Sequence, residues 1–207
     1  LTSNSGILYG LNRHNDSLII FDRFELENAN AVVFAKSGAG KSYAVKLEVL
    51  RSLMMGTDVI VIDPENEYKS LCQTVGGTYI NVSLGSNERI NPFDLPLPPE
   101  DKIEKPGDRL REHIISLTGL VKLMLGKITD EEAGLLDQAL IETYHAKGKT
   151  METEEPEKMV PPLMQDLVQI LQGTKGGENM GNRLKKFVEG TFSGIFNRAT
   201  NVNLTSG

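Results

Sequence analysis

The chain has 207 residues, 39% of them apolar and 24% charged, with 20 Gly, 9 Pro, 1 Cys and no Trp. That length serves one large domain or two small ones with a sizeable core; the lone Cys72 excludes a disulfide framework and fits a reducing compartment, and no apolar run approaches the roughly 20 residues that span a bilayer. The net charge of −6, from 22 Lys+Arg against 28 Asp+Glu, does not indicate direct nucleic-acid binding.

In chain order, Gly6 to Asn12 and Ser17 to Phe24 read as two strands of a hairpin around His14, Asn15 and Asp16. Ala31 to Phe34 is a short apolar strand. Lys41 to Met55 follows as a helix, with Ala44, Val45, Leu47, Val49, Leu50, Leu53 and Met54 on a broad apolar face and Gly56 as its stop. Val59 to Ile62 is a continuous β-branched run of the kind found in parallel sheets covered on both faces. Glu65 to Val75 reads as a helix with Tyr68, Leu71, Cys72 and Val75 turned inward, and Thr78 to Val82 as the next strand. This alternation predicts an α/β layer with right-handed crossovers.

Past residue 91 the text changes. Residues 92–106 hold five prolines, which reads as a linker or rigid surface loop. Asp108 to Leu125 carries Leu110, Ile114, Leu117, Val121, Met124 and Leu125 at helical spacing. Thr129 and Glu132 form a capping box that opens a helix running to Ala146. Residues 147–162 are polar and proline-bearing and read as mobile. Helices over Leu163 to Gln172 and Asn182 to Glu189 follow. The expected organisation is 1–91 as the first part of a nucleotide-binding domain, 107–190 as an all-α insertion or subdomain, and 191–207 as a return toward the first part. Leu1, in place of an initiating Met, leads us to expect a piece of a longer protein.

The chemistry concentrates at Ala35-Lys36-Ser37-Gly38-Ala39-Gly40-Lys41-Ser42, which matches the phosphate-loop pattern G-x-x-x-x-G-K-[ST] except for Ala at the first Gly. Gly38 and Gly40 let backbone N–H groups turn inward as a nest for a β-phosphate. The following helix adds its unpaired N–H groups and the positive end of its dipole. Lys41 would bridge β- and γ-phosphates and the Ser42 hydroxyl would ligate Mg²⁺, with Ser37, Ala39 and Tyr43 completing the nucleotide contacts. An apolar strand directly before and an amphipathic helix directly after give the pattern the context it needs.

A second candidate is Val59-Ile60-Val61-Ile62-Asp63-Pro64-Glu65-Asn66-Glu67-Tyr68. An apolar strand ending in Asp resembles a Walker B motif, yet only 22 positions separate Lys41 from Asp63, too close for that element in RecA-like enzymes. Asp63 and Glu67 sit at a strand's carboxyl end, where open α/β sheets bind ligands, and are candidate catalytic acids. In the plainer reading, Asp63 and Pro64 end the strand and the acids favour a helix start, which suits Glu65 best. His14, His113 and His145 lack metal-ligand spacing, Cys72 reads as core, and Arg183, Lys185 and Lys186 read as a solvated helix face.

Taken together, Gly6 to Asn12, Phe21 to Arg23, Ser37 to Tyr43, Asp63 to Tyr68, Asn91 to Asp94, Ile128 to Glu132 and Gly194 to Asn201 resemble the ATPase of type IV secretion and conjugation systems. This is the family of the fourth VirB component, in the FtsK–HerA branch of RecA-like P-loop NTPases. The resemblance implies an α/β fold, a RecA-like sheet with an N-terminal β-hairpin, plus an all-α inserted subdomain. It implies a motor that binds ATP/ADP with Mg²⁺ and hydrolyses ATP to drive pilus assembly or substrate transfer. It also implies a cytoplasmic protein, peripheral at the inner face of the cell membrane, whose partners are other secretion-system components and further copies in a homo-oligomeric ring such as a hexamer. Gly38 to Ser42 carry over as the phosphate and Mg²⁺ site, and Asp63 and Glu67 as the acidic motif near the nucleotide. The family's Walker B strand, sensing Gln and finger Arg have no counterpart here, so the resemblance implies a chain truncated before them and inactive in turnover by itself. Two other readings stay open: a DNA-pumping translocase of the same branch, and a nucleotide-gated assembly scaffold with little turnover.

Overall fold

The computed structural model describes residues 6–97, 107–190 and 192–202. They fall into two units, one holding the described residues up to Tyr79 and the other those from Ile80 onward.

The first unit opens with an antiparallel hairpin of β1 (Ile7–Leu11) and β2 (Leu18–Phe21). Ile7 lies opposite Phe21 and Leu11 opposite Leu18, with an irregularity between Leu8 and Gly10. Asp16 takes a left-handed turn conformation at φ 53°, and Asn12 N–H donates to Ser17 O at 2.8 Å to close the loop. Helix α1 (Lys41–Met54) and the short α2 (Lys69–Thr74) follow.

Three expected strands look different here. Ala31 to Phe34, Val59 to Ile62 and Thr78 to Val82 carry no ladder, and the hairpin is the one paired sheet among the described residues. The physical reason is exposure. Val32, Phe34, Ile60 and Ile62 are 75%, 91%, 93% and 91% exposed, so these runs lack the covering layers and paired edges that a parallel strand requires. No described residue up to Tyr79 is fully buried. The apolar face of α1 is accordingly half-covered, with Met54 exposed, and Cys72 on α2 is half-buried where a core position was expected.

Helix α2 is also shorter than its periodicity predicts. Asn66 sits at φ 57°, and the Asp63 carboxylate accepts Tyr68 N–H at 2.8 Å. Those residues form a turn, and the helix begins only at Lys69.

The second unit is built on α3 (Asp108–Leu125), α4 (Asp130–His145), α5 (Met164–Gly173), α6 (Glu178–Leu184) and α7 (Ser193–Phe196). Here periodicity and burial agree. Leu110, Ile114, Leu117, Val121 and Leu125 of α3 share one buried core with Leu136, Leu140 and Tyr144 of α4 and Met164, Leu167 and Leu171 of α5. The capping box at Thr129 is formed in both directions: Glu132 N–H donates to Thr129 Oγ1 at 3.2 Å, and Thr129 N–H to the Glu132 carboxylate at 2.8 Å.

Two details of this unit depart from expectation. The helix predicted over Asn182 to Glu189 instead spans Glu178–Leu184 and runs into a 3₁₀ turn, Lys185–Phe187. A Cβ on Gly181 would come within 2.8 Å of Gln172 Cγ, so this glycine is a helix–helix contact point rather than a breaker. Residues 147–162, expected to be mobile, contain packed positions among exposed ones. Lys149 is 1% exposed and Pro156 is buried in a 3₁₀ turn, while the neighbouring Glu157 pairs with Arg109 at 2.9 Å.

The proline-rich segment 92–106 lies outside the described residues from 98 to 106. In its described part Phe93 and Leu95 are core residues. Of the return segment, residues 191 and 203–207 are likewise outside. Its described part pairs with the segment before Phe93. Arg89 N–H donates to Asn201 Oδ1 at 2.8 Å, Asn201 N–H returns to Arg89 O at 3.2 Å, and Asn91 N–H donates to Thr200 Oγ1 at 2.7 Å. Thr200 Oγ1 in turn donates to the Asp94 carboxylate, and Asn91 Nδ2 reaches Pro162 O at 2.9 Å. These contacts form a polar seam.

Candidate functional site

The phosphate loop and the helix after it lie in the first unit. Ala39 N–H donates to Lys36 O at 3.1 Å, closing a tight turn. Gly38 at φ 76° and Gly40 at φ 90° sit in the left-handed region, which costs an L-residue roughly 1–2 kcal/mol. Gly40 is the N-cap of α1 and supplies no side-chain cap. The N–H groups of Gly40, Lys41, Ser42 and Tyr43 therefore find no acceptor among the described residues. A Cβ built on Gly38 or Gly40 would meet nothing within 4 Å, so the loop faces open space. A 14-residue helix thus presents its uncapped positive end to that space, an arrangement that suits an anion. Lys41 and Tyr43 are exposed and Ser42 is half-buried.

The acidic turn stands beside the same helix. Lys46 Nζ lies 5.1 Å from the centroid of the Tyr68 ring, a cation–π contact. Lys46 and Ser42 are four positions apart in α1. They share one face, separated by about 6 Å along the axis. The Tyr68 ring thus packs on a side chain that stands one helical turn along α1 from Ser42. Asp63 is half-buried and its carboxylate is committed to Tyr68 N–H. Glu67 and Glu65 are exposed. Burial raises the Tyr68 phenol above its ordinary pKa, and the nearby charges of Glu67 and then Asp63 add to the effect. On the far side, Tyr79 Oη donates to Asn66 Oδ1 at 2.8 Å, and Lys69 Nζ stands 5.1 Å over the Tyr79 ring.

Lys46 and Tyr68 were not singled out in the sequence as site residues. The i, i+4 relation of Lys46 to Ser42 is visible there; the stack that uses it is not.

A cleft of about 550 Å³ lies elsewhere in this unit, between the hairpin and α1, walled by Ile7, Phe21, Val33, Val45 and Val49. At its rim Arg23 donates to Tyr9 Oη at 2.9 Å and pairs with Glu48, while Tyr9 Oη donates to Glu48 at 3.0 Å. None of residues 35–43 lines it.

The remaining candidates take structural positions. His14 is exposed, and His113 packs edge-on against Tyr144 with Nε2 at 3.1 Å from Pro92 O, as a donor to that carbonyl. Arg183 donates to Leu125 O and, at 2.8 Å, to Lys127 O, clasping the turn between α3 and α4. Among the described residues no group of three or more His, Cys, Asp or Glu is placed to hold a metal ion by itself, and no helix is long and apolar enough to cross a membrane.

Against known proteins, the TraG P-loop domain family matches residues 19–175. The chain is 30% identical over 129 residues to protein TraC of Escherichia coli (strain K12), an alignment covering 62% of this chain and 14% of TraC. Its structure is similar to VirB4 of Thermoanaerobacter pseudethanolicus, with a TM-score of 0.83 and 32% identity over 100% of this chain and 56% of that one. The fold is α/β with a P-loop domain, and the chain spans about half of the VirB4 chain it matches and a smaller part of TraC.

Proposed function

Since the chain belongs to the TraG P-loop domain family, akin to the VirB4 and TraC ATPases of type IV secretion and conjugation, we propose that it is the nucleotide-binding portion of such a motor, binding ATP/ADP with Mg²⁺ and hydrolysing ATP to drive pilus assembly or substrate transfer. The observation that carries this reading is the uncapped start of α1 behind two left-handed glycines. Four N–H donors without an acceptor among the described residues converge on open space there.

In this reading the N–H groups of Gly40 to Tyr43 hold phosphate oxygens. The Lys41 ammonium draws toward itself the negative charge that develops between β- and γ-phosphates as the terminal bond breaks. These donors are fixed by the turn and the helix before the substrate arrives, so they need no reorganisation during the reaction. Mg²⁺, when bound, neutralises charge across the phosphates and takes oxygen ligands; Ser42 supplies the protein oxygen on the loop. Ser37 and Ala39 shape the loop. The acidic turn beside α1, with Asp63 and Glu67, supplies carboxylates on the Ser42 face. The partners proposed are other components of the secretion machinery at the cytoplasmic face of the inner membrane, and further copies in a ring.

Calorimetric titration of the chain with Mg·ADP, beside Lys41→Ala, tests the site. Saturable binding by the wild type and its loss in the variant, with the circular dichroism spectrum unchanged, is the expected result. Equal binding by both would overturn the role of Lys41, and no binding by either would overturn the site.

A further inference from the structure

Helix α3 gives one face to the core and leaves the opposite face in solvent. At about 3.6 residues per turn, Glu112, Ile115, Ser116, Gly119 and Leu123 point away from the buried stripe, and all five are exposed. Ile115 is 65% exposed and Leu123 82%. Between them stands Gly119, where a built Cβ would meet nothing within 4 Å. A mid-helix glycine weakens its helix, and unlike Gly181 this one serves no close approach inside the chain. Its missing side chain leaves a notch about one turn from each of the two apolar side chains. The charges along the face are sorted as well. Glu112 lies toward the N-terminal end, while Lys122 and, just past the helix, Lys127 lie toward the other. None of these three makes an ion pair among the described residues.

We propose that this face docks a second copy of the chain, α3 against α3, antiparallel and two-fold symmetric, with Gly119 at the crossing. In that arrangement Ile115 packs on the partner's Leu123 and Leu123 on the partner's Ile115, as a self-complementary contact requires. The glycines let the two backbones approach closely. Glu112 comes level with the partner's Lys127 and within about one turn of the partner's Lys122. A parallel pair would set acid beside acid and lysine beside lysine, so the charges select the antiparallel sense. One helix face is a small interface, and the pair is accordingly weak and reversible. A two-fold contact closes at two copies, whereas a ring repeats a head-to-tail contact. This surface is therefore additional to the ring contacts proposed above, and it does not depend on nucleotide.

Sedimentation equilibrium of the chain, from about 10 μM to about 1 mM, tests the pairing. A monomer–dimer equilibrium is the expected result, and a monomer throughout would overturn the proposal. Gly119→Leu separates docking from non-specific apolar association. It adds apolar surface and favours the helix, yet it fills the notch. It is expected to weaken association about tenfold or more with helix content intact; equal or tighter association would overturn the proposal. Glu112→Lys should weaken pairing a few-fold, and combining it with Lys122→Glu and Lys127→Glu should restore it. Failure of that exchange to restore pairing would count against the antiparallel contact and overturn it. The crossing point is read by cross-linking in a Cys72→Ala background. Gly119→Cys should give an intermolecular disulfide under mild oxidation, since residues at the crossing meet near the roughly 4.4–6.8 Å Cα separation a disulfide needs. Gly134→Cys, also exposed and unobstructed but on α4, should not. Equal cross-linking at both positions, or none at 119, would overturn the assignment.

Discussion

At the scale of single residues, backbone conformation and burial decide what each side chain can do. Gly40 stands at φ 90° where an L-residue is disfavoured by about 1–2 kcal/mol. Gly40→Ala is therefore expected to weaken Mg·ADP binding roughly five- to thirty-fold, while the helical unit keeps its thermal stability; unchanged affinity in calorimetry would mean that the turn is not a cradle. His113 makes a different demand. Burial holds its pKa below the ordinary value, with Lys149 adding to that, against a raising influence from the Pro92 carbonyl and Asp94. Well above its ordinary pKa of about 6.5 the imidazole is neutral both folded and unfolded, and its contribution is constant. Below that, the unfolded chain takes up the proton first, so stability falls with pH until the folded histidine also charges. Urea midpoints measured from pH 7.5 to 5 should decline, and His113→Phe should flatten the decline. Of these residues the glycines were legible in the sequence, because a fixed loop pattern requires them. The burial of His113 was not, since its partners Tyr144 and Pro92 come from distant positions.

At the scale of elements, periodicity was a good guide wherever a second element returned to cover the apolar face. The α3 stripe from Leu110 to Leu125 is buried as its spacing predicts because α4 and α6 pack on it. The α1 stripe has the same spacing and is only half-covered. Local chemistry was legible too: Thr129 and Glu132 cap α4 in the reciprocal manner their spacing predicts. Thr129→Ala should cost about 1 kcal/mol and Leu140→Ala about 2–5 kcal/mol, both read from the urea midpoint of the helical signal. If the two variants cost the same, the core does not rest on α4 as described. Side chains that override a periodic pattern were harder to see. Asp63 and Asn66 bend the chain into a turn where helical spacing had begun, and Gly181 packs against α5 where a glycine suggests a break.

At the scale of the whole molecule, the two units differ in what holds them. The helical unit has a contiguous core from Phe93 to Phe187, whereas the phosphate-loop unit has no fully buried residue among those described. Hydrogen exchange should separate them. Amides of residues 59–62, which donate to no backbone acceptor among the described residues and flank side chains as exposed as Ile60 at 93%, should exchange within seconds. Those around Leu140 should wait for opening of the unit. Similar protection in both places would contradict the difference in burial.

The polar seam has a further consequence. Asn91 and Thr200 are 109 positions apart in sequence yet meet at 2.7 Å, so the long excursion between them leaves and rejoins the chain at a single point. Closing a loop costs little more when the loop is longer, about 0.6 kcal/mol for each doubling. The excursion is thus a tolerant place for added length: helices can be inserted at its exposed loops without moving the two ends that the seam ties together.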